Sequence, residues 1–185
     1  MKENKLDFTI SSLQANLYAI PLAILIIAAL YIPFILIWGL SPLMTALYSP
    51  FMSLQIFLPV FVLLALLHEI IHWLAFRLAG KIDSSHLKIG FQWKTITPYA
   101  HCDAAMKASA YRISLILPAL ILGIIPSIVA LIFGISWLLI YGIIFTIVGG
   151  GDFIILWLIR KVRKNQLLQD HPSRCGCEIT DDLQD

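Results

Sequence analysis

Two long stretches of this chain carry almost no charge, and they constrain its fold more than any other feature of the sequence. No Asp, Glu, Lys or Arg occurs from Phe8 to His68, and Asp152 is the only charged residue from Ile113 to Ile159. A helix that crosses the hydrocarbon core of a bilayer needs about 20 mostly apolar residues, so each stretch is long enough for two crossings. With 59% hydrophobic residues and a mean hydropathy of +0.87, the chain is predicted to have lipid as its main solvent.

Proline and glycine divide each of these stretches into two parts. Pro50 interrupts the first stretch, and Gly134 begins a tight break in the second. We therefore predict an all-α membrane protein with about four transmembrane helices, in which residues 17–160 form a single membrane domain. The predicted spans are about 17–40, 51–79, 109–133 and 137–160.

Lys and Arg are concentrated before the first predicted span, between the second and third, and after the fourth. By the positive-inside rule, the N-terminal segment 1–16, the loop 80–108 and the tail 161–185 are all predicted to be cytoplasmic. The first apolar run is too long for the core of a signal peptide and no small-x-small site follows it, so we expect no cleaved leader. A formal charge of +2 is too small to indicate a nucleic-acid partner, and the expected partner is the lipid bilayer.

A short β-strand or hairpin is predicted in the cytoplasmic loop between the second and third helices. There Leu87, Ile89, Phe91 and Trp93 alternate with polar residues and glycine through Lys94, which is typical of a strand with one apolar face. The exposed edge of such a strand could receive an extended substrate through main-chain hydrogen bonds. The alternative is a structural cap on the helix bundle.

The two ends of the chain contain weaker patterns. Leu6, Ile10, Leu13 and Leu17 follow helical spacing, which fits either an interfacial amphipathic helix or an extension of the first span. In the tail, Cys175 and Cys177 with a nearby histidine resemble half a metal site, but no fourth partner is close and we expect a flexible tail. The third cysteine is in the 80–108 loop, and an odd set of cysteines in polar segments favours a reducing cytosolic side.

The segment His68-Glu69-Ile70-Ile71-His72 lies inside the second predicted span. In a helix with about 3.6 residues per turn, the two histidines fall on one face and can present two imidazoles to one ion. A catalytic zinc usually has three protein ligands and a water, and a neighbouring carboxylate such as Glu69 can act as the general base. An ionisable group at this depth costs at least about 2.5 kcal/mol, which favours a functional role over a purely structural one.

Asp152 is predicted to be the third zinc ligand, because it is the only other carboxylate within a predicted span. At about 1.5 Å per residue, His68 and Asp152 both lie roughly 12–16 Å from the cytoplasmic ends of their spans. No Lys or Arg shares that depth, which disfavours the alternative of a buried ion pair.

Other residues are candidates for accessory roles near the metal. Gly149, Gly150 and Gly151 remove side chains from almost one helical turn, which permits either entry of substrate or water or tight helix packing. His101 and Cys102 could approach the ion from the loop as an inhibitory or fourth ligand, whereas the alternative is that both are solvated loop residues.

From about residue 60 to 178 the chain resembles a family of bacterial membrane proteins described as putative zincin peptidases, which is distantly similar to the site-two intramembrane metalloproteases. The resemblance implies a metal-dependent peptidase of a bacterial cytoplasmic membrane, in which His68, His72 and Asp152 bind zinc and Glu69 activates the zinc-bound water. Asp152 departs from the site-two proteases, because it lies between Gly and Phe rather than in a Leu-Asp-Gly context, and spans three and four contain no Asn-Pro pair. The resembling segments are His68 to His72, Trp93-Lys94-Thr95-Ile96-Thr97-Pro98-Tyr99-Ala100-His101-Cys102, Tyr111-Arg112 with Pro118, Gly149 to Asp152, and Asp170-His171-Pro172-Ser173.

The function expected from these features is intramembrane proteolysis by a zinc metallopeptidase. It would hydrolyse peptide bonds of membrane-associated peptides or proteins near the cytoplasmic side. The alternative is a non-enzymatic membrane zinc-binding protein, either a transporter or a metal-responsive regulator, or a scaffold that has kept the motif without activity. Transport would need further polar sites along a path, and spans one and three contain essentially none.

Overall fold

The computed structural model describes residues 7–93, 97–172 and 174–180, and within them the protein is mostly helical. Four parts of the chain lie outside the described residues. They are residues 1–6 of the N-terminal segment, Lys94 to Ile96 of the 80–108 loop, and Ser173 and residues 181–185 of the tail. The helices are α1 (Ser12–Trp38), α2 (Ser41–Ala46), α3 (Leu54–Leu78), α4 (Ala108–Ala119), α5 (Ile125–Phe133), α6 (Ser136–Val148) and α7 (Gly150–Leu158).

Three helical segments in the described chain are long and apolar enough to cross a membrane, namely Leu17–Trp38, Leu54–Leu78 and Ala108–Phe133. The third is continuous because one turn of π-helix, Leu120–Ile124, joins α4 to α5. Helices α6 and α7 meet at a bend of 41° and form a fourth candidate if the pair crosses as one span. A mostly helical protein, with three to four helical segments long and apolar enough to cross a membrane, is therefore confirmed.

Two small antiparallel sheets accompany the helices. Strands β2 (Leu87–Gln92) and β3 (Thr97–Cys102) form a hairpin in the segment between α3 and α4. The second sheet has the order β1-β6-β5-β4 and is built from segments far apart in the sequence. Its strands are β1 (Asp7–Ile10), β4 (Met106–Lys107), β5 (Leu167–Asp170) and β6 (Cys175–Ile179).

This four-stranded sheet corrects three expectations. The chain is not all-α apart from one hairpin, because the second sheet is present as well. Residues 7–10 form a strand, so neither an interfacial helix nor an extension of the first span covers them, and helix begins only at Ser12. The expectation of a flexible tail does not hold for Leu167–Asp170 and Cys175–Ile179, because β5 and β6 pair there and bury Leu168 and Cys177. Local spacing failed at both ends because strand pairing depends on partners that are distant in sequence.

The chain divides into two compact units. One contains Glu69–Leu117 together with the described residues up to Tyr18 and from Gly151 onward. The buried residues of its apolar core, contributed by both helices and sheets, include Phe76, Leu87, Cys102, Tyr111, Leu115, Ile159, Leu168 and Cys177.

The other unit comprises Ala19–His68 and Pro118–Gly150, and its core is formed by Phe34, Leu43, Ala130 and Leu139. Helix α6 packs closely against the π-turn in this unit. A Cβ atom on Gly123 would collide with the Thr146 side chain, so glycine is what permits this close approach.

Candidate metal centre

Helix α3 carries the central part of the candidate site on its C-terminal half. Most side chains of this helix are apolar, which suits a hydrocarbon environment. Its backbone N–H and C=O groups bond to one another within the helix, as they must where no water is present. His68, Glu69 and His72 are nevertheless buried, with 3%, 9% and 6% of their surface exposed. Burial of three ionisable side chains on an apolar helix requires compensating polar partners.

Asp152 in the first turn of α7 supplies such a partner. His72 Nε2 lies 3.4 Å from Asp152 Oδ2. One ligand atom from each of His68, His72 and Asp152 lies within 4.8 Å of the other two, and no other group of this kind occurs among the described residues. The structure therefore brings together the two histidines and the aspartate that the sequence singled out.

The geometry of these three side chains fits a tetrahedral metal ion. Two ligand atoms that each lie about 2.0–2.1 Å from a zinc ion are separated by about 3.4 Å at the tetrahedral angle. The His72–Asp152 separation of 3.4 Å has this value, and it exceeds the usual 2.7–3.2 Å range of an N–H···O hydrogen bond. Two imidazoles and one carboxylate are also a donor set of the kind that catalytic zinc sites use.

The main chain of α4 fixes the orientation of the His72 ring. His72 Nδ1 lies 2.8 Å from the carbonyl oxygen of Ser114, and both residues are buried. Because a carbonyl only accepts hydrogen bonds, Nδ1 carries the proton and donates. In the neutral form of the ring that binds a metal, this tautomer leaves the lone pair on Nε2, the nitrogen that lies next to Asp152.

Glu69 follows His68 directly in α3 and is buried within the same turn as both histidines. A carboxylate next to a metal ligand can accept a proton from a water molecule that attacks a carbonyl. Glu69 is the only glutamate in a described helix, since the other two in the chain are Glu3 and Glu178.

His101 and Cys102 are not part of the three-residue ligand cluster. His101 Nδ1 lies 3.6 Å from Asp170 Oδ2, and the Cys102 N–H donates a 2.8 Å hydrogen bond to the same carboxylate. Cys102 is buried, its thiol donates to the Ala104 carbonyl, and burial raises its pKa to about 11. A thiol held protonated in this way is a poor metal ligand.

The three glycines before Asp152 differ from one another. A Cβ atom on Gly149 would come within 2.7 Å of the Ala119 side chain, which is the tight helix packing that the sequence left as one alternative. A Cβ atom on Gly151 would meet nothing within 4 Å. The triplet is therefore tightly packed at Gly149 and borders open space at Gly151, the end next to Asp152.

A buried polar network on β5 was missed by the sequence reasoning. Tyr111 OH donates a 2.5 Å hydrogen bond to Asp170 Oδ1, and Asp170 also holds the two loop residues described above. Burial raises the pKa of Asp170, against the hydrogen bonds from Tyr111 and the Cys102 N–H, which lower it. One signal for this network was present in the sequence, the resemblance to the zincin peptidase family. Three of the resembling segments contain the residues that contact the Asp170 carboxylate or supply it, namely Tyr111, His101-Cys102 and Asp170 itself.

Comparison with known families adds an independent finding. Residues 61–167 match the sequence model of a protein family whose description reads "Putative zincin peptidase". The match covers more than half of the chain and includes His68, Glu69, His72 and Asp152. No curated protein and no solved structure matches the chain.

Proposed function

The chain belongs to this putative zincin peptidase family, and from that membership we propose that it is a membrane-embedded zinc metallopeptidase. Its substrates are membrane-associated peptides or proteins, cleaved near the cytoplasmic side. The observation that carries the proposal is the buried cluster of His68, His72 and Asp152, whose ligand atoms lie within 4.8 Å of one another.

Each residue of the site has a role in this proposal. A zinc ion held by His68, His72 and Asp152 would supply a Lewis acid that polarises the peptide carbonyl and lowers the pKa of water. Glu69 takes a proton from the attacking water and passes it to the leaving amine nitrogen. The hydrogen bond from His72 Nδ1 to the Ser114 carbonyl keeps the imidazole in its binding orientation.

The substitution Glu69→Gln tests the assigned role, because it preserves shape and removes the base. We expect the variant to retain zinc and to lose hydrolysis by about 10²–10⁴-fold. Zinc content is measured by elemental analysis of purified protein, and cleavage of a transmembrane peptide in detergent is followed by mass spectrometry.

Two further variants serve as controls, one that should lose the metal and one that should resemble the parent protein. His72→Ala should lose both zinc and hydrolysis, whereas Glu178→Gln makes the same amide replacement in β6 and should lose neither. Hydrolysis by Glu69→Gln at the rate of the parent protein contradicts the role of Glu69. A parent protein without stoichiometric zinc would remove the peptidase and transporter functions together.

A non-enzymatic zinc-binding protein is the second candidate, favoured by the fact that a buried ligand cluster can serve transport or sensing as well as hydrolysis. Transport requires polar groups along a path, yet helix α1 contains no charged residue. Flux of zinc into liposomes that contain the purified protein separates the two functions. We expect no flux above that of empty liposomes.

The register of the hairpin supports a proposal about how an extended substrate binds. The Asp103 N–H donates to the His86 carbonyl, so hydrogen-bonded pairs with β3 alternate from Lys88 onward. Ile89 and Phe91 therefore direct their N–H and C=O groups away from β3. No other described strand pairs with this edge of β2, and both side chains are exposed.

We propose that the β2 edge binds substrate as an added strand. A peptide bond inside a helix is shielded, so a helical membrane segment must unwind before it can be cleaved. Main-chain hydrogen bonds to Ile89 and Phe91 would hold the unwound segment extended. The exposed apolar side chains of β2 would contact its alternate residues.

A further inference from the structure

Helix α7 bears the aspartate of the metal centre, and it is short. It contains nine residues, Gly150–Leu158, with Asp152 in its first turn. Two and a half turns of helix behave as a rigid rod, so the direction of α7 determines where the Asp152 carboxylate lies. Whatever holds the far end of α7 therefore helps to place the carboxylate.

The far end of α7 is held by Arg112 of helix α4. The Arg112 guanidinium donates hydrogen bonds of 2.7 Å to the Ile159 carbonyl and 2.6 Å to the Val162 carbonyl. Ile159 directly follows Leu158, the last residue of α7, and Val162 lies in the turn beyond it. A cation at the C-terminal end of a helix also interacts favourably with the helix dipole. Ile159 and Val162 are themselves buried in the apolar core, so this anchor is attached to a fixed part of the unit.

The same turns of α4 hold the other side of the metal centre. Two residues after Arg112, the Ser114 carbonyl accepts the hydrogen bond of His72 Nδ1. One residue before it, Tyr111 is bonded to Asp170 of β5. One short segment of α4, Arg112 to Ser114, thus contacts both the His72 ring and the C-terminal end of α7, the helix that carries Asp152.

We propose that Arg112 is a positioning residue for Asp152, which sets the carboxylate against His72 by anchoring the C-terminal end of α7. The inference rests on the proposed metal site, but it does not depend on peptidase activity. Groups that orient metal ligands without touching the ion contribute about 10–100-fold to metal affinity. Arg112→Gln removes the cation and shortens the side chain, so the Nη2 group that donates to both carbonyls is lost and zinc affinity should fall by about that factor.

The test is a double-mutant cycle read by zinc affinity in chelator competition. Parent, Arg112→Gln, Asp152→Asn and the double variant are compared as purified full-length proteins in detergent. Because Arg112 acts through Asp152, Arg112→Gln should weaken binding in the parent background and leave it unchanged in the Asp152→Asn background. The absorption spectrum of the cobalt-substituted parent and Arg112→Gln gives a second readout of ligand placement.

Arg160→Gln is the matched control. Arg160 lies at the same end of α7, but its guanidinium donates to the Trp157 carbonyl of that helix (2.7 Å) and stacks over the Trp157 ring at 4.1 Å. Its removal deletes the same charge without breaking the link to α4, so zinc affinity should not change. If Arg112→Gln does not fold, Arg112→Lys keeps the charge with a single donor group and should show a smaller loss.

Three results would overturn the inference. They are unchanged zinc affinity in both Arg112 variants, an equal loss in Arg160→Gln, and a loss from Arg112→Gln that persists undiminished in the Asp152→Asn background. A parent protein that binds zinc but cleaves no peptide rejects only the peptidase proposal. The two proposals therefore fail on different measurements.

Discussion

Cys175 and Cys177 are two positions apart in β6, yet they have different surroundings. Cys175 is exposed, whereas Cys177 is fully buried and lies opposite Phe8 in the pairing with β1. Burial, followed by the nearby charge of Asp170, raises the pKa of Cys177 to about 12. The thiolate is the reactive form of cysteine, so both the protonation state and the accessibility of Cys177 oppose reaction.

We therefore predict that iodoacetamide at pH 8 modifies Cys175 alone in the folded protein. With pKa values raised to about 11 and about 12, Cys102 and Cys177 are almost wholly protonated at that pH. Their thiolate fractions rise about tenfold for each pH unit toward the pKa, so any reaction should appear first at high pH. Mass spectrometry of the intact protein should count one adduct, none after Cys175→Ser, and three in denaturant. Equal modification of Cys175 and Cys177 would mean that β6 does not fold as described.

A substitution at the exposed edge of strand β2 can distinguish a substrate-binding role from that of a structural cap. Proline lacks the N–H that an added strand would use, and it is tolerated at sheet edges. Ile89→Pro removes one outward-facing donor and leaves the inward-facing hydrogen bonds to β3 in place. Loss of one main-chain hydrogen bond is worth about 0.5–1.5 kcal/mol, or about two- to tenfold in kcat/KM.

The prediction for this element is a lower kcat/KM for Ile89→Pro with unchanged zinc content. Ile89→Val keeps the N–H and a β-branched apolar side chain, so it serves as the matched control and should resemble the parent. Peptide cleavage in detergent measures both variants. Equal kinetics for the proline and valine variants would leave β2 as a structural cap.

At the scale of the whole molecule, the four-stranded sheet constrains the path of the chain. It pairs β1, before the first span, with β6, and it pairs β5 with β4, which directly precedes α4. Strands of one sheet share one side of a membrane. We infer that the chain returns to this side between β4 and β5, so that Ala108–Phe133 crosses once and the bent pair α6 and α7 crosses back.

The positive-inside rule predicts that this sheet is cytoplasmic, and one exposed cysteine added at a time in a Cys175→Ser background tests that prediction. Tyr48 is in the exposed connection between the first two spans, and Ser85 is in an exposed turn before β2. The variants are Tyr48→Cys and Ser85→Cys. An impermeant maleimide added to intact cells should label the cysteine at position 48 and leave that at position 85 unlabelled until the membrane is permeabilised. The reverse pattern would place the sheet outside.

Features that depend on neighbouring residues could be predicted from the sequence alone. Charge-free apolar runs indicated the membrane helices, the spacing of His68 and His72 placed both on one face of a helix, and alternation before Trp93 indicated a strand. Each is a local periodicity, so each can be recognised without knowing what packs against it.

Contacts between residues that are distant in sequence became visible only in the folded structure. It set His72 Nε2 3.4 Å from Asp152, joined strands from both ends of the chain into one sheet, and placed Arg112 on the end of the helix that carries Asp152. Strand pairing and hydrogen bonds to helix ends are satisfied by partners that can lie anywhere in the chain, so no local pattern specifies them. The helical spacing that predicts a shared face for His68 and His72 therefore contains no information about the contact between Arg112 and the end of α7, which carries Asp152.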